Sequence, residues 1–326
     1  RSIMPEVPAD SPAMGSMIMN IAANVLGLDN AATPMGLKAM EQLQTLNPHK
    51  DRASDAQILF MVINSSAVTL IPITILMYRS ELGAANPSAV FMPILFATSL
   101  STLAGFLAVA VVQRLNVFNR VVMAYLGGFI LFIGVVAFYF CSLPETERLS
   151  VSANCGNFLL FAVIVAFIGA GVVKKLNVYE TFVAGAKEGF EIAVRIIPYL
   201  VAMLVAIAVF RASGALDFLV DGFAAVFGRL GIDTGFVAAL PTALLKPLSG
   251  SGARAMMIET MTTYGADSFP AFVSAVVQGS TETTFYVLAV YFGAVKITKV
   301  GAALPCALFA DFVGIASAIC FSYLFY

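Results

Sequence analysis

Tryptophan is absent from this chain of 326 residues, histidine occurs once, and only 11% of the residues carry charge. Each scarcity excludes something. Without tryptophan, any aromatic belt at a membrane interface must be built from tyrosine and phenylalanine. The lone histidine, His49, lies in a polar loop, and Cys141, Cys155, Cys306 and Cys320 are scattered with no C-x-x-C spacing. That leaves no ligand set for zinc. No disulfide is expected, although Cys141 and Cys155 flank one loop. A net charge of −1 provides no basic stripe to displace counterions from phosphates, so nucleic acid is excluded as a partner. The chain opens at Arg1 with no methionine, no basic n-region and no cleavage motif, and so reads as the interior of a longer protein.

What the chain does have is apolar mass. Hydrophobic residues make up 60% of it and the mean hydropathy is +0.92, the signature of a polytopic membrane protein in a lipid bilayer. Since about 17–25 apolar residues cross a bilayer as a helix, clear spans are expected at 56–78, 88–112, 119–141, 157–173, 192–210, 269–292 and 300–325. Two stretches are too interrupted to be simple spans: 13–46, broken at Leu28–Pro34, and 236–262, broken at Lys246–Gly252. Both read as re-entrant hairpins or discontinuous helices, because proline and small polar residues release backbone groups that a lipid-facing helix would keep satisfied. Segments 177–195 and 217–229 place apolar residues on one stripe and are expected to lie at the interface. Loop charges orient the chain. Lys50, Arg52, Arg114, Arg120, Lys174, Lys175 and Lys187 fall on one side, the cytoplasmic one by the positive-inside rule. Lys296 and Lys299 do not fit this alternation.

The segment Gln278-Gly279-Ser280-Thr281-Glu282-Thr283-Thr284 puts a carboxylate, hydroxyls and a glycine in the middle of an apolar span. Polar groups at that depth are costly and are retained mainly where they face a cavity or a partner. An equivalent recurs earlier: Asn64-Ser65-Ser66 sits in its span as Gly279-Ser280-Thr281 sits in its own. Phe96-Ala97-Thr98 matches Phe309-Ala310-Asp311, and the break at Leu28 matches that at Leu248. The separation is about 215 residues each time. The chain therefore reads as an all-α protein with two copies of one unit: a broken hairpin, a polar-centred span and a closing span. The expected division is 1–115 for the first unit, 116–156 for a connecting helix and loop, and 157–326 for the second. The second copy is preceded by 157–235 and the first by nothing, so an equivalent N-terminal portion is expected ahead of Arg1.

Some of these residues resemble known families. Gly27-Leu28-Asp29-Asn30-Ala31-Ala32-Thr33-Pro34, followed by Gly36-Leu37-Lys38-Ala39-Met40, resembles the spore maturation protein A family. Tyr179-Glu180, Gly185–Gly189, Phe210–Gly214 and Gly279-Ser280-Thr281-Glu282 resemble the spore maturation protein B family. The chain looks like a fusion of the two, each built on a nucleoside-recognition, or gate, domain. That family is distantly similar to concentrative nucleoside transporters, in which hairpin tips and unwound helices bind solute and a coupling cation. The resemblance implies a multi-pass protein of the bacterial plasma membrane that moves a solute, but it does not name nucleosides as the cargo.

Candidate residues follow from the breaks. Glu282 can take up a proton or ligate Na+, with Ser280, Thr281 and Thr284 supplying oxygens, or it can pair with Lys246 or Arg254. Lys246, Ser249, Ser251 and Arg254 surround a half-helix start suited to a carboxylate or phosphate; alternatively, Arg254 balances Glu259, Glu282 or Asp311. Asp29, Asn30 and Thr33 form the first tip, where helix capping competes with binding. Asn64, Ser65 and Ser66 can bind solute or bond back to their own helix. Asp311, in the last span, is a candidate for ion coupling together with Glu282 and Thr284. No cofactor is expected beyond a coupling ion, Na+ or H+. An intramembrane enzyme would need a nucleophile–base pair or metal ligands, and no span holds a histidine. The expected function is a secondary transporter for a small polar or anionic solute, nucleoside-like or carboxylate, by alternating access. The alternative is a non-transporting subunit of an envelope or spore-maturation complex. The glycine-rich stretch 127–134 could pack within the protomer or form a homo-oligomer contact.

Overall fold

The computed structural model describes residues 3–8 and 10–326, apart from the side chains of residues 29–31, 192, 193, 195, 196, 199 and 200. Among the described residues every regular element is helical. Helices α1 (Pro12–Val25) and α2 (Asp29–Leu46) form a hairpin, followed by α3 (Asp55–Ser65) and α4 (Ile73–Glu81). A short 3-10 turn, Pro87–Val90, leads into α5 (Phe91–Val112). Then come α6 (Arg120–Ser142), α7 (Glu145–Val173), α8 (Val178–Ala212) and α9 (Ala215–Arg229). The 3-10 turn Val237–Ala239 opens the second hairpin, α10 (Leu240–Leu245) and α11 (Gly250–Tyr264). Last are α12 (Phe269–Gly279), α13 (Thr284–Ala294) and α14 (Ala303–Phe325).

Local sequence sets the starts. Ser11, Ser54, Asn119, Asn177, Ser249 and Ser268 each cap a helix N-terminus with a side-chain oxygen, and Ser54 forms a reciprocal capping box with Gln57. The element order then repeats. Hairpin α1–α2 corresponds to α10–α11, the broken pair α3/α4 to α12/α13, and closing helix α5 to α14.

The breaks share a cause. Ser65 Oγ donates to Val62 O at 3.0 Å and Ser280 Oγ to Val277 O at 2.8 Å, so each first half-helix ends on a hydroxyl bonded back to its own carbonyl. Pro72 then bars a helical conformation for Ile71, while Gly279 weakens the other break.

The turn between α2 and α3 meets the turn between α13 and α14. Ala53 N donates to Lys299 O at 3.0 Å, and Lys299 Nζ reaches Asp51 Oδ2 at 2.7 Å. At the opposite end the turn after α4 meets the turn between α11 and α12. Ala85 N donates to Asp267 Oδ2 at 2.9 Å and buried Arg79 donates to Ala266 O at 3.1 Å. Helices α3/α4 and α12/α13 therefore run in opposite directions, and the two units are inverted relative to each other. This places Lys299 beside Lys50 and Arg52, so the two lysines that break the sequence alternation join the positive face. Arg114 joins it too, since Gln113 Nε2 at the end of α5 bonds Asp55 O at 2.9 Å.

Among the described residues, four helices are long and apolar enough to cross a membrane: Pro87–Val112 (the 3-10 turn with α5), α6, α7 and α14. Helices α8 and α9, bent by 68° at left-handed Gly214, make a fifth candidate. The chain is thus a multi-pass membrane protein. Helices α6 and α7 turn nearly all their surface outward, with Phe132, Phe138, Phe158 and Phe167 exposed for lipid.

Several expectations are corrected. The expected spans 56–78 and 269–292 are each two half-helices. The first hairpin turns at Leu26–Leu28, earlier than Leu28–Pro34, because Gly27 takes φ +67 while Pro34 stays inside α2. Segments 177–195 and 192–210 form one 35-residue helix, since nothing between them breaks the α-helix and Pro198 is absorbed within it. Helix α7 starts at Glu145, well before 157.

In lipid, burying apolar surface gives little drive for helix association, so close approach of small residues carries the packing. Helices α5 and α14 make the most extensive contact, along a seam where Ser101 Oγ donates to Ala310 O at 2.9 Å. A Cβ on Gly105 would lie 3.1 Å from Ala310 Cβ, and one on Gly314 would lie 2.6 Å from Thr281 Cγ2. Phe96, Phe140, Phe321 and Phe325 cluster at one end of this seam.

Candidate functional site

The two breaks meet each other and the two hairpin tips. Glu282 N donates to Ser65 O at 2.8 Å across the breaks. Leu70 N in the first break donates to Val25 O in the first hairpin at 2.7 Å. Phe285 N beside the second break donates to Pro247 O in the second hairpin at 3.0 Å. Glycine permits both tip contacts: a Cβ on Gly27 would lie 2.1 Å from Ile71 O, and one on Gly250 would lie 2.7 Å from Thr283 Oγ1.

These four segments enclose a cavity of about 520 Å³, within the size range of small-molecule sites. Thr33, Asn64, Lys246, Ser249, Ser251, Arg254, Thr281 and Glu282, all singled out in the sequence, line it. Others lie elsewhere. The buried hydroxyls of Ser65, Ser66 and Ser280 bond back to helix carbonyls, which directs them away from the cavity. Thr284 and Asp311 are buried at the second break outside the lining. The side chains of Asp29 and Asn30 lie outside the described residues; their backbone forms the first turn of α2.

The cavity's charge is carried by Lys246 and Arg254 against Glu282. Lys246 is 5% exposed. Arg254 directly follows the first turn of α11, whose amide groups and helix dipole also favour an anion. Its buried Nε atom has no hydrogen-bond partner. One alternative role for Arg254 is removed, because Glu259 pairs with Arg211 and accepts a hydrogen bond from Thr263 Oγ1 at 2.7 Å. Opposite, Gln278 lines the cavity with a buried Oε1 that also has no partner.

Three polar residues escaped the sequence reading. Asn24 Nδ2 donates to Asn64 Oδ1 at 2.8 Å, Tyr291 OH donates to the same oxygen at 3.3 Å, and Asn20 Nδ2 donates to Tyr291 OH at 3.1 Å. This buried network joins the first hairpin to both broken helices. Its signal was present in α1, where Asn20 and Asn24 lie four apart on one helix face in an otherwise apolar run. Tyr291 gave no such signal, since a tyrosine near a span end is expected at the interface.

The fold and cavity define a class: an all-helical membrane protein of two inverted units whose broken helices line a polar cavity. A family model described as nucleoside recognition (Gate) matches residues 193–298, which include α10 to α13 and the second break. The chain is 50% identical over 167 residues to spore maturation protein B of Bacillus subtilis (strain 168), spanning half of this chain and 92% of that relative. It is also 42% identical over 99 residues to spore maturation protein A of the same organism, covering 30% of this chain and half of that relative. The chain belongs to the spore maturation protein B family and carries a segment similar to spore maturation protein A. No solved structure matches it.

Proposed function

We propose that this protein is a secondary transporter of the bacterial plasma membrane. It moves a small polar or anionic solute, nucleoside-like or carboxylate, by alternating access. The observation that carries the reading is the cavity at the crossing of two discontinuous helices and two hairpin tips. Inverted repeats with unwound helices around a central site are the architecture by which secondary transporters expose one site to either side of the membrane. Arg254, Lys246 and the first turn of α11 suit an anionic group, while Asn64, Gln278 and Glu282 suit hydroxyl and amine hydrogens. Coupling falls to Na+ or H+ through the carboxylates at the second break. By the positive-inside rule the face carrying Lys50, Arg52, Arg114 and Lys299 is cytoplasmic. Residues 1–115 and 157–326 act as the two units, joined through 116–156, and the reading assigns no catalysis.

The test is a solute screen by thermal shift on the full-length protein in detergent, covering nucleosides, nucleobases, dicarboxylates and amino acids. A stabilising solute whose effect disappears in both Arg254→Ala and Glu282→Gln is the expected result. If no solute stabilises the protein and both variants melt like the parent, a non-transporting subunit of an envelope or spore-maturation complex becomes the better reading.

A further inference from the structure

A second polar cluster lies at the same crossing. Asp311, midway along α14, is 2% exposed, and Thr281 and Thr284 of the second break are equally buried. The two hydroxyls and Lys246 are the groups that interact with the Asp311 carboxylate. Even so, neither carboxylate oxygen and neither hydroxyl completes a hydrogen bond of normal geometry.

Four buried oxygens around one negative charge are costly to leave unsatisfied. A proton on Asp311 would supply a single hydrogen bond. A desolvated cation contacts every oxygen at once, and a broken helix can add backbone carbonyls to the shell. Among the described residues no group of three His, Cys, Asp or Glu side chains could hold a metal ion. One carboxylate with neutral hydroxyls, and oxygen ligands only, suits a hard ion of low charge.

The first unit shows the contrast. Thr98 stands where the second unit has Asp311, and its hydroxyl is satisfied by Ile94 O at 2.9 Å and Leu95 O at 3.1 Å. Gly314 lies one turn beyond Asp311, and any Cβ there would lie 2.6 Å from Thr281 Cγ2, so the glycine leaves Thr281 room to face the carboxylate.

We infer that Asp311, Thr281 and Thr284 form a Na+ site beside the solute cavity, with Lys246 set against the bound ion. Lys246 lines the cavity and its charge also reaches Asp311. When Na+ neutralises Asp311, the ammonium acts on the cavity instead, and an anionic solute there acts reciprocally on Na+. The link to solute rests on the transporter reading; the ion site does not.

Na+ alone is the probe. The melting temperature of the full-length protein in detergent is followed while NaCl replaces choline chloride at constant ionic strength and pH. A saturable rise with Na+ is expected. It should be lost in Asp311→Asn, weakened in Thr284→Val, and kept in the cavity variant Arg254→Ala. Lys246→Gln should bind Na+ more tightly, by about fivefold or more if the coupling has ordinary strength. Should Asp311→Asn fail to fold, Thr284→Val and Gly314→Ala carry the decision, both expected to weaken the response. The proposal is overturned if the parent shows no Na+-specific rise, if the foldable site variants keep it in full, or if stability follows pH and not Na+. A Na+ response without any solute binding would keep the ion site and remove the transporter reading.

Discussion

Substituting Gly36 in α2 by alanine places a methyl group where Tyr291 now stands. The added Cβ would lie 2.1 Å from Tyr291 OH, 2.4 Å from Tyr291 Cζ and 2.9 Å from Asn20 Nδ2. Tyr291 has to move, which breaks its hydrogen bonds with Asn64 and Asn20 and disturbs its stacking on Phe60, where the ring centroids are 5.9 Å apart. Overpacking costs about 1–3 kcal/mol. Orphaning buried polar groups adds about 1–3 kcal/mol. Alanine in a helix returns roughly 0.5–1 kcal/mol over glycine, so the net loss is about 1–5 kcal/mol.

The lack of tryptophan makes intrinsic tryptophan fluorescence useless for this measurement. A thiol-reactive dye serves instead, because Cys306 is buried until the chain opens. Gly36→Ala should melt several degrees below the parent. Adding Tyr291→Phe, which removes the clashing hydroxyl, should recover part of that loss. A Gly36→Ala variant that melts with the parent, or a double variant whose losses simply add, would refute the packing argument.

Other expectations follow from the same geometry. Gly27→Ala forces a left-handed residue to carry a side chain and drives its Cβ into Ile71 O. It should lower the melting temperature by more than a surface glycine such as Gly83, which also has positive φ but open space around it. Arg79→Leu strips partners from Pro87 O and Ala266 O and breaks the 3.6 Å pair with half-exposed Asp267, at a cost of about 1–3 kcal/mol. Arg79→Lys should recover part of the loss. Asp51 is held below the usual carboxylate range by its hydrogen bond from Lys299 and by that charge. Because the folded value is depressed, its contribution is present at neutral pH and disappears as pH falls through the carboxylate range. The pair is exposed, so the effect is small. Lys299→Ala should return the Asp51 titration, followed by NMR, toward its ordinary value.

The architecture was legible because its signals are chemical. Ser65 and Ser280 mark two spans with polar centres, though they do not show that each is broken there, and the charges at Lys246, Arg254 and Glu282 sit in apolar runs where only a polar cavity makes them tolerable. The exact turn of the first hairpin was not legible. Asp29-Asn30 and Pro34 advertise a break more strongly than Gly27 does, yet Gly27 alone both adopts a left-handed turn and admits Ile71 O. The roles of hydroxyls were equally hidden. Ser65 and Thr281 look alike in sequence, and only packing decides that one bonds to its own helix while the other faces Asp311. The continuity of α8 was missed because an amphipathic stretch followed by an apolar one reads as two elements. Lys299 resisted placement until the turn at Asp51 met it in space.

Alternating access requires that one cavity at the crossing serve both sides of the membrane. Ser251 lines that cavity on the first turn of α11. With the four native cysteines replaced, Ser251→Cys in proteoliposomes can be challenged by a membrane-impermeant maleimide from outside or from the lumen. Labelling is expected from both sides in the resting protein, slowed from both by a solute that stabilises it. Labelling from one side only, unchanged by any ion or solute, would contradict alternating access at this site.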